Sequence, residues 1–298
     1  MSIETVVQQL RMIKNTIRQI WWDSMSDERF TKYFYKRKFK RTLDLDCPKS
    51  FHEKINWLKL YDKNPVYPTL VDKYAVREYI AKKLGSEYLI PLINVYDNAD
   101  EIVFSELPES FVLKCTHGSG CNIICPDKTK LDCEEAREKL KKWLKTDYYK
   151  IGREWPYNYV PRRIVAEQYL TDETKVELKD YKLFCFNGKV RVIEVDFNRF
   201  IGHKCNVYDR EWNRINGEIS YLSDNSVEIK RPANLEKMIE LAEKVSSDFS
   251  FLRVDFYSVY DKIYFGELTL YPGAGFETYR PFEFNMQMGE YLQIPNKK

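Results

Sequence analysis

Long apolar runs are missing from this sequence of 298 residues. No stretch approaches the roughly 18 apolar residues of a membrane span, so no transmembrane helix is predicted. An excess of one charge is also missing, because 48 basic residues are matched by 45 acidic ones and the net charge is +3. The whole molecule is therefore not expected to bind nucleic acid, and any basic function must be local.

Histidine is scarce, with three residues, and the seven cysteines are an odd number. Cys115, Cys121, Cys125 and Cys133 are close enough in sequence to raise a zinc site, but their spacings form no C-x-x-C pair. A zinc site is therefore not expected. Because no secretory signal is found, we expect reduced thiols and a cytoplasmic protein.

Aromatic residues, in contrast, are abundant, with 22 Tyr, 17 Phe and 6 Trp, which is typical of a globular protein. The length is enough for a large core and more than one domain or subdomain. Apolar periodicity predicts helices at 51–61, 73–84, 134–145 and 234–247. It predicts strands at 90–95, 110–116, 122–125, 163–170, 179–186 and 189–197.

A hairpin near the end of the chain carries the densest cluster of chemically useful side chains. Two strands are predicted at 251–257 and 263–269, joined by a short polar connection. The period of two places Arg253, Asp255, Glu267 and Thr269 on one face of the pair. Two adjacent carboxylates repel unless a cation lies between them, and Mg²⁺ binds one or two carboxylates plus substrate phosphates. A solvated polar face would give the same pattern, but the alignment favours a metal site.

A glycine-rich stretch follows the strand predicted at 110–116. Gly118, Ser119 and Gly120 form the connection to the next strand, and Lys114 lies near the end of the preceding one. Glycine allows backbone N–H groups to approach a phosphate closely, and a nearby lysine adds positive charge. Most G-S-G sequences are ordinary turns, but together with the carboxylate hairpin this one indicates a phosphate site.

The first 41 residues combine an amphipathic helical pattern at 1–25, which ends near Trp21 and Trp22, with a basic cluster at Lys32–Arg41. A basic amphipathic helix with terminal Trp residues can lie on an anionic membrane surface. Alternatively, the apolar stripe packs on the main body and the charges are simply solvated. The pattern leaves both interpretations open.

Several motifs in order resemble the TupA-like ATP-grasp proteins of bacterial cell-surface polysaccharide loci. They are FHEKINWLKLYDKNP, VDKYAVREYI, LKCTHGSG, DYKLFCFNG, RVDFY and GELTLYPGAGF, and the resemblance covers roughly residues 48–275. It implies an α+β (α/β) ATP-grasp fold, in which two α+β subdomains grip ATP behind a mostly helical N-terminal extension. The expected divisions are a basic segment at 1–47, a helical region at 48–90, an N-subdomain at 91–165 and a C-subdomain at 166–298.

The resemblance also implies residue roles. The ATP-binding residues would be Lys114, Gly118, Ser119, Gly120, Glu167, Gln168, Tyr169, Leu170, Asp180 and Lys182. Arg253 and Lys182 would be catalytic, and Asp255, Glu267 and Thr269 would bind Mg²⁺. Thr269 departs from the commoner Asn. The usual N-terminal αβ domain is missing or shrunken, so the acceptor site cannot be carried over.

The expected activity is that of an ATP- and Mg²⁺-dependent carboxylate–amine ligase that acts through an acyl phosphate on a small-molecule or glycan substrate. A phosphotransferase on the same fold is one alternative. A glycosyltransferase is another, with Asp44-Leu45-Asp46 as a metal-binding D-x-D. A membrane-surface scaffold with a degenerate nucleotide site is the non-enzyme alternative. The oligomeric state stays open, as does peripheral membrane contact through residues 1–41.

Overall fold

The computed structural model describes residues 8, 17–171, 178–198, 202–260 and 262–296. After a helical stretch at 17–23, the helices are α1 (Asp27–Phe39), α2 (Phe51–Tyr61), α3 (Tyr67–Val71), α4 (Val76–Lys83), α5 (Cys133–Leu144), α6 (Tyr149–Gly152), α7 (Leu235–Ser246) and α8 (Phe282–Tyr291). The strands are β1 (Leu92–Tyr96), β2 (Phe111–Cys115), β3 (Asn122–Cys125), β4 (Ile164–Gln168), β5 (Asp180–Phe186), β6 (Lys189–Phe197), β7 (Lys204–Tyr208), β8 (Glu218–Ile219), β9 (Phe251–Val259), β10 (Lys262–Thr269) and β11 (Tyr279–Arg280). The fold is therefore mixed α+β, as predicted.

A four-stranded antiparallel sheet in the order β1-β4-β2-β3 forms the smaller layer. Burial alternates along β2 and β3, and Phe111, Leu113 and Cys115 of β2 are fully buried. Helix α5 buries Ala136 and Leu140 in the same core. Strands β2 and β3 are joined by the glycine-rich stretch, so this sheet positions the predicted phosphate loop.

A five-stranded antiparallel sheet in the order β10-β9-β5-β6-β7 forms the larger layer. Helix α7 packs on one face, because its apolar stripe meets the apolar residues of β5, β6 and β9. On β9, Leu252, Val254 and Phe256 are buried in this core, so the alternating Arg253 and Asp255 belong to the opposite face. That opposite face carries the candidate site.

The N-terminal helices pack against the larger layer. Helix α2 begins at a capping box, in which Ser50 and Glu53 exchange side-chain and backbone hydrogen bonds. It packs on α8 and on the turn at Pro272–Gly275. Neither α8 nor β11 was expected from the sequence pattern.

The basic cluster at Lys32–Arg41 is largely helical, because it overlaps α1. That helix begins at the N-cap Ser26 and buries Phe30, Thr31 and Tyr35, so it is part of the core. Most of the amphipathic pattern at 1–25 falls outside the described residues. None of the described helices is long and apolar enough to cross a membrane.

Several predicted boundaries differ from those of the structure, most clearly at α4 and in the final hairpin. The helix predicted at 73–84 begins only at Val76, because the Asp72 carboxylate accepts hydrogen bonds from the backbone N–H groups of Tyr74 and Ala75 and holds a turn there. The strands of the final hairpin continue to Val259 and resume at Lys262, so they are longer than predicted.

Candidate active site

The hairpin of β9 and β10 brings its four predicted polar residues together. Asp255 pairs with Glu267 and Arg253 pairs with Thr269, so the four side chains share one face of the hairpin, as the alternation predicts. A β-bulge between Phe265 and Glu267 sets this pairing. The Arg253 guanidinium donates to Asp255 from Nε at 2.8 Å and from Nη2 at 2.7 Å, and Nη2 also donates to Glu267 at 3.1 Å.

This arrangement places two carboxylates around one guanidinium. Burial raises the pKa of Asp255 to about 7, although Arg253 opposes that shift. Burial also acts to raise the pKa of Glu267, but Lys73, Arg253 and more distant lysines outweigh it and hold the pKa below its usual range. The Thr269 hydroxyl lies 3.5 Å from Glu267 Oε1. The donor set is therefore all oxygen, which suits Mg²⁺.

Lys182 of β5 lies in the middle of a second acidic group. Its ammonium forms an ion pair with Asp196 and lies 3.9 Å from Asp180 and 3.7 Å from Glu194. Burial disfavours the charge, but these carboxylates together raise the pKa of Lys182 above its usual range. Sequence reasoning named Asp180 and Lys182 only. Glu194 and Asp196 are two residues apart on β6 and so share one face of that strand. That spacing is the sequence signal that could have identified them as site residues.

Glu167 of β4 is held by two cations. Its carboxylate lies 2.7 Å from Lys114 Nζ and 2.9 Å from Arg77 Nη1. Arg77 also donates to the Ile90 carbonyl at 2.8 Å, so it joins α4 to this sheet. Lys114 was predicted to contact phosphates, and here its partner is Glu167. Arg77 was not identified from the sequence.

The remaining residues of the predicted adenine hinge follow Glu167. Gln168 ends β4, and its N–H donates to the Pro91 carbonyl at 3.0 Å. Tyr169 is half-buried, and Leu170 joins Ile90 and Val259 in a small apolar cluster. The hinge thus ends beside Val259 of β9, which belongs to the larger layer.

Lys73 and Tyr148 pack against the glycine-rich loop. Lys73 Nζ donates to the Gly118 carbonyl at 2.6 Å and lies 3.9 Å from Glu267 Oε2. A Cβ atom at position 118 would lie 2.7 Å from the Tyr148 ring, so only glycine fits there without a shift of that ring. A Cβ atom at position 120 would have no heavy atom within 4 Å, but its φ of +76° favours glycine. Lys73 was not identified as a site residue. It links the loop to the hairpin, which are far apart in sequence.

A cavity of about 420 Å³ lies between this loop, the hairpin and the segment after α5. Of the predicted site residues, Ser119, Arg253, Glu267 and Thr269 line it. Tyr148, Glu154 and Tyr157 also line it, so the aromatic segment at 148–159 belongs to the site. The other predicted residues lie outside its lining, in the glycine-rich loop, on the neighbouring strands and in the hinge.

The family model described as TupA-like ATPgrasp matches residues 53–293. No curated protein matches the chain. Among solved structures, an ADP complex of N5-carboxyaminoimidazole ribonucleotide synthetase, purK, is 16% identical over 68% of this chain, with a TM-score of 0.41.

Two further matches are D-alanine–D-alanine ligases. The enzyme from Helicobacter pylori is 13% identical over 76% of this chain, with a TM-score of 0.40. The ATP complex of the enzyme from Bacillus anthracis is 16% identical over 74% of this chain, with a TM-score of 0.42. The chain covers 45%, 60% and 58% of the purK, Helicobacter and Bacillus chains, respectively.

Proposed function

Because the chain belongs to the TupA-like ATP-grasp family, we propose that it is an ATP- and Mg²⁺-dependent ligase that joins a carboxylate to an amine through an acyl phosphate. The observation that carries the proposal is the joint contact of the Arg253 guanidinium with Asp255 and Glu267 at the edge of the cavity. A fixed cation and two carboxylates beside an open space are the groups that phosphoryl transfer needs.

ATP would lie between the two sheets, which we propose correspond to the two subdomains. The segment Glu167–Leu170 would receive the adenine, and Asp180 would lie near the ribose. Backbone N–H groups of Gly118–Gly120 and the side chains of Lys114 and Lys182 would bind the phosphates. This proposal is supported by Lys73, which donates to the Gly118 carbonyl of the loop and lies 3.9 Å from Glu267 of the larger sheet, so the loop and the hairpin lie close together.

Mg²⁺ would be held by Asp255 and Glu267, with Thr269 as a third oxygen donor, and would neutralise phosphate charge when bound. Arg253 would point at the phosphoryl group in transfer, where a fixed cation stabilises developing negative charge. The acceptor carboxylate would attack the γ-phosphorus, which releases ADP and leaves an acyl phosphate. An amine would then displace phosphate.

The product is proposed to be an amide between an amino acid and a sugar acid, or within a peptide, of a cell-surface polymer. A glycosyltransferase is less well supported, because the D-x-D carboxylate of Asp44 accepts hydrogen bonds from the backbone N–H groups of Asp46 and Cys47. Asp44 thus caps a local turn at an exposed position. A phosphotransferase would use the same residues and differ only in its product.

We also propose a cytoplasmic location with peripheral contact to the inner face of the membrane. Ile17, Ile20 and Trp21 expose large apolar surfaces next to the basic helix α1. Exposed apolar side chains beside Lys and Arg are the combination that binds anionic lipid surfaces.

The proposal can be tested by trapping the intermediate with hydroxylamine. We expect ADP, phosphate and a hydroxamate when the protein is given ATP, Mg²⁺ and uronic-acid or amino-acid carboxylates. Arg253→Ala should lose all three, whereas Arg191→Ala, which removes an exposed arginine of neighbouring β6, should not. A stable phosphorylated product without amide would identify a kinase. Sugar transfer from a nucleotide-sugar, independent of ATP and Arg253, would identify a glycosyltransferase.

A further inference from the structure

Two charged side chains from outside the predicted site lie buried at the wall of the cavity. Lys59 of α2 is 1% exposed and Glu154, just after α6, is 8% exposed. Buried charges are costly unless other groups compensate them. The Lys59 ammonium donates to the carbonyls of Gly152 at 2.9 Å and Ala274 at 2.7 Å. Lys59 therefore fixes the backbone on two sides of the cavity.

The buried charge of Glu154 has fewer compensating contacts than that of Lys59. Its side chain lines the cavity, and no donor among the described residues forms a hydrogen bond with its carboxylate. The positive charge with the largest effect on the Glu154 carboxylate is that of Lys59. A buried carboxylate that faces open space without a donor is suited to accept hydrogen bonds from a ligand.

The charged side chains that line the cavity indicate which kind of ligand it can bind. Glu154, Glu267 and Glu277 line it, against the two cations Lys73 and Arg253. Both cations are already engaged, Lys73 by the Gly118 carbonyl and Arg253 by Asp255. With three carboxylates and two cations, the lining carries one more acidic than basic side chain, which favours a cationic ligand group.

We infer that this cavity holds the acceptor amine as an ammonium ion, and that the Glu154 carboxylate binds it and removes its proton. The inference rests on the proposed ligase function, whose acyl phosphate would form beside Arg253 in the same cavity. Glu154 would take one proton from the ammonium group. The neutral amine would then attack the acyl carbon, its C–N bond would form as the C–O bond to phosphate breaks, and the second proton would leave with the phosphate.

The electrostatic surroundings agree with this role. Burial raises the pKa of Glu154 to about 7, Lys59 and Lys73 act to lower it, and Glu267 acts to raise it. A general base works best when its pKa is close to the working pH. Burial also lowers the pKa of Lys59 to about 7, opposed by Glu154. Lys59 is a positioning residue here, because it reaches Glu154 only through its charge and the backbone that it holds.

The test compares two nucleophiles in one assay. Glucuronate, galacturonate and the twenty amino acids serve as carboxylates with ATP and Mg²⁺. The nucleophile is either hydroxylamine, which is mostly neutral at pH 7, or an ammonium-bearing probe, namely ammonium chloride or the amino acids. In Glu154→Gln we expect hydroxamate formation within about threefold of wild type, but amide formation reduced at least about 100-fold at pH 7. That amide rate should recover about tenfold per pH unit as the free amine becomes available.

Controls separate this role from a structural one. Glu154→Asp should keep part of the amide rate, and Glu138→Gln, an exposed change on α5, should alter neither reaction. Lys59→Met should shift the pH profile of amide formation to higher pH, because it removes the charge that lowers the pKa of Glu154. The melting temperature of each variant is measured to detect loss of the fold.

Equal loss of both reactions in Glu154→Gln, or loss of neither, overturns the inference and leaves the ligase proposal intact. A wild-type protein that forms hydroxamate but couples none of the amine probes also overturns it. A wild-type protein that forms no hydroxamate with any carboxylate overturns the ligase proposal itself, and the inference with it.

Discussion

The guanidinium of Arg253 forms a two-pronged contact with the carboxylate of Asp255, two residues along the same strand, at 2.8 and 2.7 Å. Both side chains are buried. A bidentate, charge-assisted contact of this kind fixes the orientation of both groups. Because Arg253 also reaches Glu267, one cation neutralises part of the charge of two carboxylates. Arg253 therefore holds both carboxylates in place.

The first prediction follows from this contact. Asp255→Asn and Glu267→Gln should each keep the fold, because Arg253 retains one carboxylate partner in either variant. Each should abolish Mg²⁺-dependent ATP turnover, because a neutral amide cannot balance the metal charge. Turnover at several Mg²⁺ concentrations and far-ultraviolet circular dichroism are the measurements. Asp248→Asn, at an exposed site, is the matched control. Full activity in either site variant contradicts the metal role.

The second prediction concerns Lys114. Lys114→Ala should weaken ATP binding by roughly 1.5–3 kcal/mol, the value of a charge-assisted hydrogen bond, which is about 10- to 150-fold in Kd. The fold should survive, because Arg77 still neutralises Glu167. Isothermal titration calorimetry with ATP measures the effect. Lys130→Ala, which removes an exposed lysine, should leave the affinity unchanged. An unaltered Kd in the Lys114 variant would remove Lys114 from the nucleotide site.

Much of the fold and part of the site could be predicted from the sequence. The alternation of apolar and polar residues predicted the polar face of β9 and β10, because side chains two residues apart lie on the same face of a strand. Helix α2 was predicted with its observed bounds, since its apolar spacing and capping box are local signals. The ordered family motifs also predicted the family that the comparison shows.

The missed residues depend on contacts between distant parts of the chain. Lys73 meets the Gly118 carbonyl 45 residues later, and Lys59 meets the Gly152 carbonyl 93 residues later. No periodicity along one element encodes such contacts. Helix α1 was not predicted: the sequence showed only a basic cluster at Lys32–Arg41, whose charges obscure the buried Phe30 and Tyr35. Tertiary packing there outweighed the local charge pattern.

The third prediction concerns the membrane. The full protein should co-sediment with phosphatidylglycerol vesicles and be released by salt, since its exposed apolar side chains lie beside basic residues. Because α1 is part of the core, the variants leave that helix unchanged. Ile20→Ser and a protein lacking residues 1–20 should each bind the vesicles more weakly than the full protein. Leu222→Ser, also at an exposed apolar site, is the control. Equal binding by the truncated protein would make this segment structural.

The last prediction is a pH dependence of stability that originates at His52 of α2. The imidazole is buried between Phe39 and Tyr279, with ring centroids 4.2 and 5.0 Å away, and its Nε2–H donates to the Glu277 carbonyl at 2.5 Å. Burial lowers the pKa of His52 from 6.5 to about 4, although the hydrogen bond to Glu277 opposes that shift.

Because the folded-state pKa lies below the unfolded one, the stabilising contribution of neutral His52 is fully present above pH 6.5 and is lost as the pH falls towards 4. The unfolded chain binds one more proton across that range, which corresponds to about 1.4 kcal/mol per pH unit and about 3 kcal/mol in total. Urea unfolding of wild type and His52→Gln at pH 7, 5.5 and 4.5 measures it. The other titrating groups are common to both proteins, so the difference between their free energies of unfolding should shrink steadily with acidification. Parallel curves for the two proteins would show that His52 does not carry this pH dependence.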